Sequence, residues 1–131
     1  MFVNCNLPGL AFAFPDVCLT PTPVGPIPLP YPNMSMPMMG IPSQFSTFLT
    51  CMPAHNMTTT VPMTNGDNVG VNMGVASGMV MGPERAVKGS TNLMLGCMPA
   101  KRALIDPTIH NSTNAVGTTL VPTQFKFLSF R

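Results

Sequence analysis

Charge is scarce in this 131-residue chain, because only 8% of its residues are charged whereas about a quarter is usual. The chain also has no tryptophan and a single tyrosine. Its six basic residues are scattered, which excludes the clustered basic surface that nucleic-acid binding needs. Its four acidic residues form no evident pair for acid–base hydrolysis, so we expect no enzyme activity.

Long apolar runs are missing as well. No stretch approaches about 18 uninterrupted apolar residues, so the sequence predicts no transmembrane helix. A secretory signal peptide needs a positively charged first segment, but the first basic residue is Arg85. We therefore expect synthesis in the cytoplasm without a signal peptide, and no export by the general secretion route. Free thiols or metal ligands are then favoured over disulfides for the cysteines, which are Cys5, Cys18, Cys51 and Cys97.

Proline and glycine are abundant, with 16 and 11 copies, and both disfavour helix interiors. The sequence therefore predicts a single all-β domain over residues 1–131 with little helix, the best helical candidate being 84–90. Val69 to Met81 has bulky residues at nearly every second position, which predicts an extended chain with a bare glycine face. Further strands are predicted at 45–51, 57–63, 91–97 and 118–130.

The chain partly repeats itself. Residues 46–57 resemble residues 90–103, and both contain Cys-Met-Pro-Ala. Each copy then runs through a polar stretch to a valine-glycine pair, at Gly70 and at Gly117. This pattern favours a duplicated strand–turn–strand unit over a chance match.

The front of the chain is rich in proline, and the prolines from 21 to 32 mostly alternate with other residues. Proline cannot donate a backbone hydrogen bond, so such a segment belongs at a sheet edge or in polyproline II. The apolar Ile27, Leu29 and Tyr31 between the prolines argue against a flexible linker. We expect an extended outer rib that ends in a turn at Asn33.

Residues 15–33, "PDVCLTPTPVGPIPLPYPN", resemble the opening signature of the PAAR-like proteins, the spike-tip components of bacterial type VI secretion systems. The family's Pro-Ile-Pro-Tyr motif reads Pro28-Leu29-Pro30-Tyr31 here. The resemblance continues through 52–78, 88–102, 110–114 and 120–127. It implies a small, pointed, conical structure of β-hairpins whose proline-rich N-terminal segment is extended.

The resemblance also implies a task. Proteins of this family cap the trimeric VgrG spike, sharpen it for membrane puncture and link effectors to it. We therefore expect a non-enzymatic, stand-alone tip that binds the spike as a monomer. The expected partners are VgrG, an effector or its adaptor chaperone and, transiently, the target membrane, with secretion through the type VI apparatus. One chain on a threefold axis should present three similar faces, for which we expect the two Cys-Met-Pro-Ala arms and the proline rib.

Many PAAR tips hold zinc near the apex, and zinc prefers four cysteine or histidine ligands. The candidate ligands here are Cys18, His55, His110 and Cys51, with Cys97 as an alternative fourth ligand. Two histidines cannot supply the three-histidine, one-cysteine set that is usual for PAAR tips. The alternative is that the cysteines are buried free thiols and that both histidines bond to turns. The candidate residues for spike or effector binding are Pro28, Leu29, Tyr31, Phe125 and Phe127.

Two other functions compete with the spike tip. The first is a small zinc- or copper-binding module, because Met34, Met36, Met38 and Met39 lie close enough together for their thioethers to bind Cu(I). The second is a secreted toxin, for instance with Cys51 and His110, or Cys97 and His55, as nucleophile and base. Any small protein with four cysteines and two histidines permits such pairs, so we rank the toxin last.

Overall fold

The computed structural model describes residues 2–41, 44–68, 72 and 74–129. The all-β prediction is confirmed, because the only helix in these residues is a 3₁₀ turn at Pro37–Met39. None of the described helices could cross a membrane. The strands are β1 (Leu10–Thr20), β2 (Ile27–Ser35), β3 (Gln44–Leu49), β4 (Met52–Ala54), β5 (Thr60–Val61), β6 (Glu84–Ala86), β7 (Met94–Leu95), β8 (Met98–Pro99), β9 (Pro107–His110) and β10 (Ala115–Val121).

Six strands form one antiparallel sheet in the order β2-β1-β10-β9-β6-β5. It is built from three strand pairs that are consecutive in the chain, β1–β2, β5–β6 and β9–β10, and each pair contacts the next. The sheet closes on itself because Met34 of β2 bridges Asn65, and Ile41 bridges Thr60 of β5. These bridges shorten the free edges of the sheet, and the proline-containing part of β2 remains as an edge.

A ring of three short segments, residues 2–6, 53–57 and 99–103, lies beside this closed sheet. The amide of Asn4 donates to the carbonyl of Lys101 at 2.9 Å, that of His55 to Asn4 at 2.9 Å, and that of Lys101 to His55 at 3.2 Å. A second cycle runs around the ring in the opposite direction, with Asn6, Met57 and Ala103 donating to Pro53, Pro99 and Phe2. The three segments, which we call ring strands, are thus related by a pseudo-threefold axis.

The repeated Cys-Met-Pro-Ala motifs lead into two of the ring strands. In both, a two-residue turn with two positive φ angles joins a pair of antiparallel strands, at Thr50-Cys51 between β3 and β4 and at Gly96-Cys97 between β7 and β8. Two positive φ values define a type I′ turn, which matches the twist of hairpin strands. The predicted duplication is therefore present as two matching hairpin arms.

The third face differs from the expectation. The third ring strand is residues 2–6, and its outer neighbour is the C-terminal segment, where Leu128 bridges Phe2 and the amide of Val3 donates to the carbonyl of Phe127. The proline rib instead forms β2 within the closed sheet. The reason is that the rib already pairs with β1, from Ile27 opposite Thr20 to Ser35 opposite Ala11.

Polar and apolar cores lie on opposite faces of the ring strands. Successive residues of a strand point to opposite faces, so Val3, Ala54 and Ala100 point away from Asn4, His55 and Lys101. The first three belong to a small apolar cluster with Cys5, Leu49 and Leu95. The other three are fully buried, and two of them bond to the closed sheet, Lys101 to Glu84 and Asn4 to Thr119.

The rib was correctly predicted as an edge. Its last three prolines lie in β2, the last strand of the sheet order, where Pro28 and Pro30 stand opposite Leu19 and Val17 of β1. The turn predicted at Asn33 is wrong, because Asn33 continues β2 and is fully buried. Its amide bonds to Asp16, which makes an interior position more favourable than a turn.

Other local predictions need correction. Residues 84–90 contain strand β6 rather than a helix, since Glu84 and Arg85 pair with β5. Of the long strand predicted over 69–81, residues 69–71 and 73 lie outside the described residues, and Val75–Ser77 form a turn. The strands predicted at 57–63 and 91–97 shrink to two residues each, whereas 45–51 corresponds to β3 and its turn. The strand predicted at 118–130 is instead Ala115–Val121.

Candidate functional site

The polar interior is centred on Asp16, Cys18 and Asp67, which are all fully buried. Asp16 and Cys18 are two residues apart in β1 and so share its inward face. The Cys18 thiol lies 3.5 Å from Asp16 Oδ1 and 3.6 Å from Asp67 Oδ2. Ligand atoms of all three residues lie within 4.8 Å of one another.

Asparagine amides compensate much of this buried negative charge. The Nδ2 groups of Asn33 and Asn114 both donate to Asp16. Asn111 Nδ2 donates to Asp67 Oδ2 at 2.8 Å, and its own Oδ1 accepts the amide of Gly82 at 2.9 Å. Amide donors of this kind satisfy buried carboxylates, which would otherwise be strongly destabilising.

Burial and the two carboxylates control the chemistry of the thiol. Burial, then the negative charges of Asp16 and Asp67, raises the pKa of Cys18 to about 12. Burial likewise raises the pKa of Asp67. In this state the thiol keeps its proton at neutral pH, which makes it a poor nucleophile.

The donor set at this centre also fits a cation. Asp67 Oδ1 is buried and has no hydrogen-bond partner, so one carboxylate oxygen is available in addition to Asp16 and Cys18. Thiolate and carboxylate are both zinc ligands, and binding would release the thiol proton. Among the described residues, these three form the only group of three or more cysteine, histidine or acidic side chains with this proximity.

A buried ion pair connects the ring to the closed sheet. Lys101 Nζ lies 2.7 Å from Glu84 Oε1, and both side chains have no exposed surface. Ser35 Oγ donates to the other oxygen of Glu84 at 3.4 Å. Lys101 occupies the ring position that Asn4 and His55 occupy in the other two ring strands, so the pseudo-symmetry places one charge beside the axis.

The two histidines are buried and neutral. Burial first, and then the charge of Lys101, lowers the pKa of His55 to about 3. Burial lowers the pKa of His110 to about 4, although Glu84 acts in the opposite direction. His55 Nε2 bonds to Asn6 Oδ1, and His110 Nε2 lies 3.1 Å from Thr108 Oγ1. Because the amide oxygen of Asn6 can only accept, Nε2 of His55 carries the proton.

A family model described as the toxin PAAR-like domain matches residues 9–117. The chain belongs to this PAAR-like family. The match spans the whole closed sheet up to the middle of β10, including the polar centre, both Cys-Met-Pro-Ala arms and two of the three ring strands. No curated protein and no solved structure matches the chain.

This PAAR-like domain does not bring the predicted zinc ligands together. Cys18 lies in the polar centre and His110 bonds to Thr108, whereas His55 belongs to a ring strand. Cys51 and Cys97 are exposed at the tips of the two arm turns. The cause is the type I′ turn, which puts both cysteines outside the interior that contains the other three residues.

The residues predicted to bind the spike or an effector fall in two places. Pro28, Leu29 and Tyr31 lie on edge strand β2, where the Tyr31 hydroxyl bonds to Thr20 at 2.5 Å. Phe125 and Phe127 lie in the C-terminal segment and are both exposed. The Phe125 ring packs edge-on against Phe2 with centroids 5.3 Å apart. Two of the five thus accompany the third ring strand.

Sequence reasoning missed Asp16 and Asp67 as members of the site. The sequence around Asp67, "TNGD", indicates a turn, and no sequence pattern assigns a role to Asp16. A usable signal existed for Asp16, because the pair Asp-x-Cys in a strand places both side chains on one face. Nothing local to Asp67 indicates that it meets β1.

Proposed function

We propose that this chain is a spike tip, one copy of which caps the trimeric VgrG spike of a type VI secretion system. Membership of the PAAR-like family supports this proposal, and the observation that carries it is the pseudo-threefold ring of residues 2–6, 53–57 and 99–103. A single chain with three related faces can meet a true threefold end without leaving one subunit unpaired. A closed set of contacts of this kind is what symmetric assemblies favour.

The proposed action is mechanical. Closure of the six-stranded sheet, together with hydrogen-bonded buried polar groups, supports a rigid body suited to puncturing a membrane. The edge at β2 carries prolines that cannot donate backbone hydrogen bonds, which protects it from unwanted strand pairing. We propose that the tip is made in the cytoplasm, leaves with the spike and carries an effector or its adaptor, without enzyme activity of its own.

Co-purification with a VgrG protein from the same organism tests this function. The two proteins are co-expressed, the complex is isolated through a tag on VgrG, and its mass is measured under native conditions. We expect one copy of this chain per VgrG trimer. Three copies per trimer would contradict the symmetry argument, and the absence of any complex would contradict the function itself.

A second candidate function is metal binding, and the centre of Asp16, Cys18 and Asp67 favours it. We propose zinc as the metal, with these three residues as ligands. Metal analysis of the protein purified after growth with added zinc would give about one zinc per chain, and C18S would reduce it. A chain without zinc that is equally stable would refute this assignment and leave the amide-bonded carboxylates as a structural network.

A further inference from the structure

The three ring strands each have an outer neighbouring strand, and the contacts repeat around the pseudo-threefold axis. Pro53, Pro99 and Phe2 are equivalent, since each accepts the same ring hydrogen bond. The residues that stand opposite them in the outer strands are Phe48, Met94 and Leu128. We call these three the arm residues.

The arm residues share chemistry as well as position. Each is bulky and apolar, and their exposed fractions are 57% for Phe48, 56% for Met94 and 51% for Leu128. No sequence similarity links the three positions, because Leu128 lies outside both Cys-Met-Pro-Ala arms. Three equal apolar exposures at equivalent sites argue for one shared contact, since scattered exposed apolar side chains carry no such pattern.

The outer strands also offer free backbone edges. β3 pairs only with β4, and β7 pairs only with β8, among the strands of the described residues. A free edge accepts a strand from another chain through main-chain hydrogen bonds. Two threefold-related edges flanked by exposed apolar side chains suit a partner that presents the same strand at threefold-related positions.

We propose that Phe48, Met94 and Leu128 form the docking contact of this chain, and that its occupant is the threefold end of a homotrimer. This inference rests on the proposed function, and it names the surface and the symmetry of the partner. Each arm residue contacts one subunit, so the three subunits meet chemically similar side chains.

The opposite end of the molecule lacks this match. There the turn between β1 and β2 has residues 21–26 and the turn between β9 and β10 only residues 111–114, whereas residues 62–83 separate β5 from β6 in the sequence. Equivalent contacts with three identical subunits would require similar segments at equivalent places. The arm end is therefore the end that fits a trimer.

Substitution of all three arm residues by serine tests the inference. The variant F48S/M94S/L128S removes apolar groups that are more than half exposed, so its fold should persist. A matched control, V24S/V75S/V116S, removes three exposed apolar side chains from elsewhere on the surface. Circular dichroism and thermal unfolding of both variants establish that they are folded.

Affinity for the same VgrG trimer is then measured by biolayer interferometry for the full chain and both variants. Burying the exposed half of three large side chains predicts about a hundredfold weaker binding for the arm variant, and less than a threefold change for the control. If the wild-type chain binds the trimer and the arm variant binds equally well, the docking surface is wrong while the spike-tip function stands. If the wild-type chain does not bind the trimer, the proposed function itself fails.

Discussion

The buried pair of Lys101 and Glu84 allows a quantitative test of the polar interior. Their charged atoms are 2.7 Å apart and neither side chain has exposed surface. K101M keeps most of the side-chain volume but leaves Glu84 without its cation. Removing one partner of a buried pair costs about 3–5 kcal/mol, which is a large fraction of the roughly 5–15 kcal/mol that stabilises a typical domain.

The double variant K101M/E84L separates the pair from the packing around it. Replacing both members of a buried pair by apolar residues is often neutral or stabilising. Here it also leaves the Ser35 hydroxyl without its acceptor, which costs about 1 kcal/mol. We therefore expect the double variant to regain most of the stability that K101M loses.

Urea unfolding followed by circular dichroism measures both effects, with K88M as the control because Lys88 is exposed. The histidines give an independent readout. The charge of Lys101 lowers the pKa of both His55 and His110, so K101M should raise both pKa values in an NMR titration. A loss below about 1 kcal/mol in K101M, with unchanged histidine titration, would refute the buried pair.

Three further predictions follow from the arms, the histidines and the thiols. Thr50 and Cys51 both have positive φ angles, which Asn-Gly adopts more easily in a type I′ turn. The variant T50N/C51G should therefore raise the free energy of unfolding by about 1 kcal/mol. Stability should fall as pH drops from 6.5 towards 4, because the unfolded state protonates both histidines while their folded pKa values are about 3 and about 4. The raised pKa of Asp67 offsets part of this loss near pH 4. Urea unfolding across pH 4–8 measures the effect, and a flat profile would indicate exposed histidines. Iodoacetamide at pH 8 should modify Cys51 and Cys97 but spare Cys18, whose pKa is about 12, and rapid labelling of all four thiols in mass spectra of the native chain would contradict this.

The general architecture could be predicted because it depends on local chemistry. Alternating prolines belong at a sheet edge or in polyproline II, and the chain places three of them in the end strand β2. The repeated Cys-Met-Pro-Ala motif marked two matching turns. The third ring strand could not be found in this way. Residues 2–6 make the same backbone hydrogen bonds as the other two ring strands, but their sequence has almost no similarity to them.

The centre of the site was less accessible to sequence reasoning. Asp67 is far from Asp16 in the sequence, and only closure of the sheet brings them together. Glycine alternation around Gly74 predicted an extended strand, but the neighbourhood of Gly74 is a single bridge to Cys18 followed by a turn. A β-carbon on Gly74 would lie 2.8 Å from the amide of Asn114, so this glycine provides space for a side chain rather than for another strand.

The pseudo-threefold ring has a consequence for how a cargo is oriented. A chain whose three faces are similar but different can sit on an exact threefold end in three ways that differ by a 120° rotation. If all three are equally favourable, they make association more favourable by RT ln 3, or about 0.6 kcal/mol. An effector attached to the β2 edge would then point in each of three directions on different spikes, so a population of identical complexes would deliver its cargo without a fixed rotational phase.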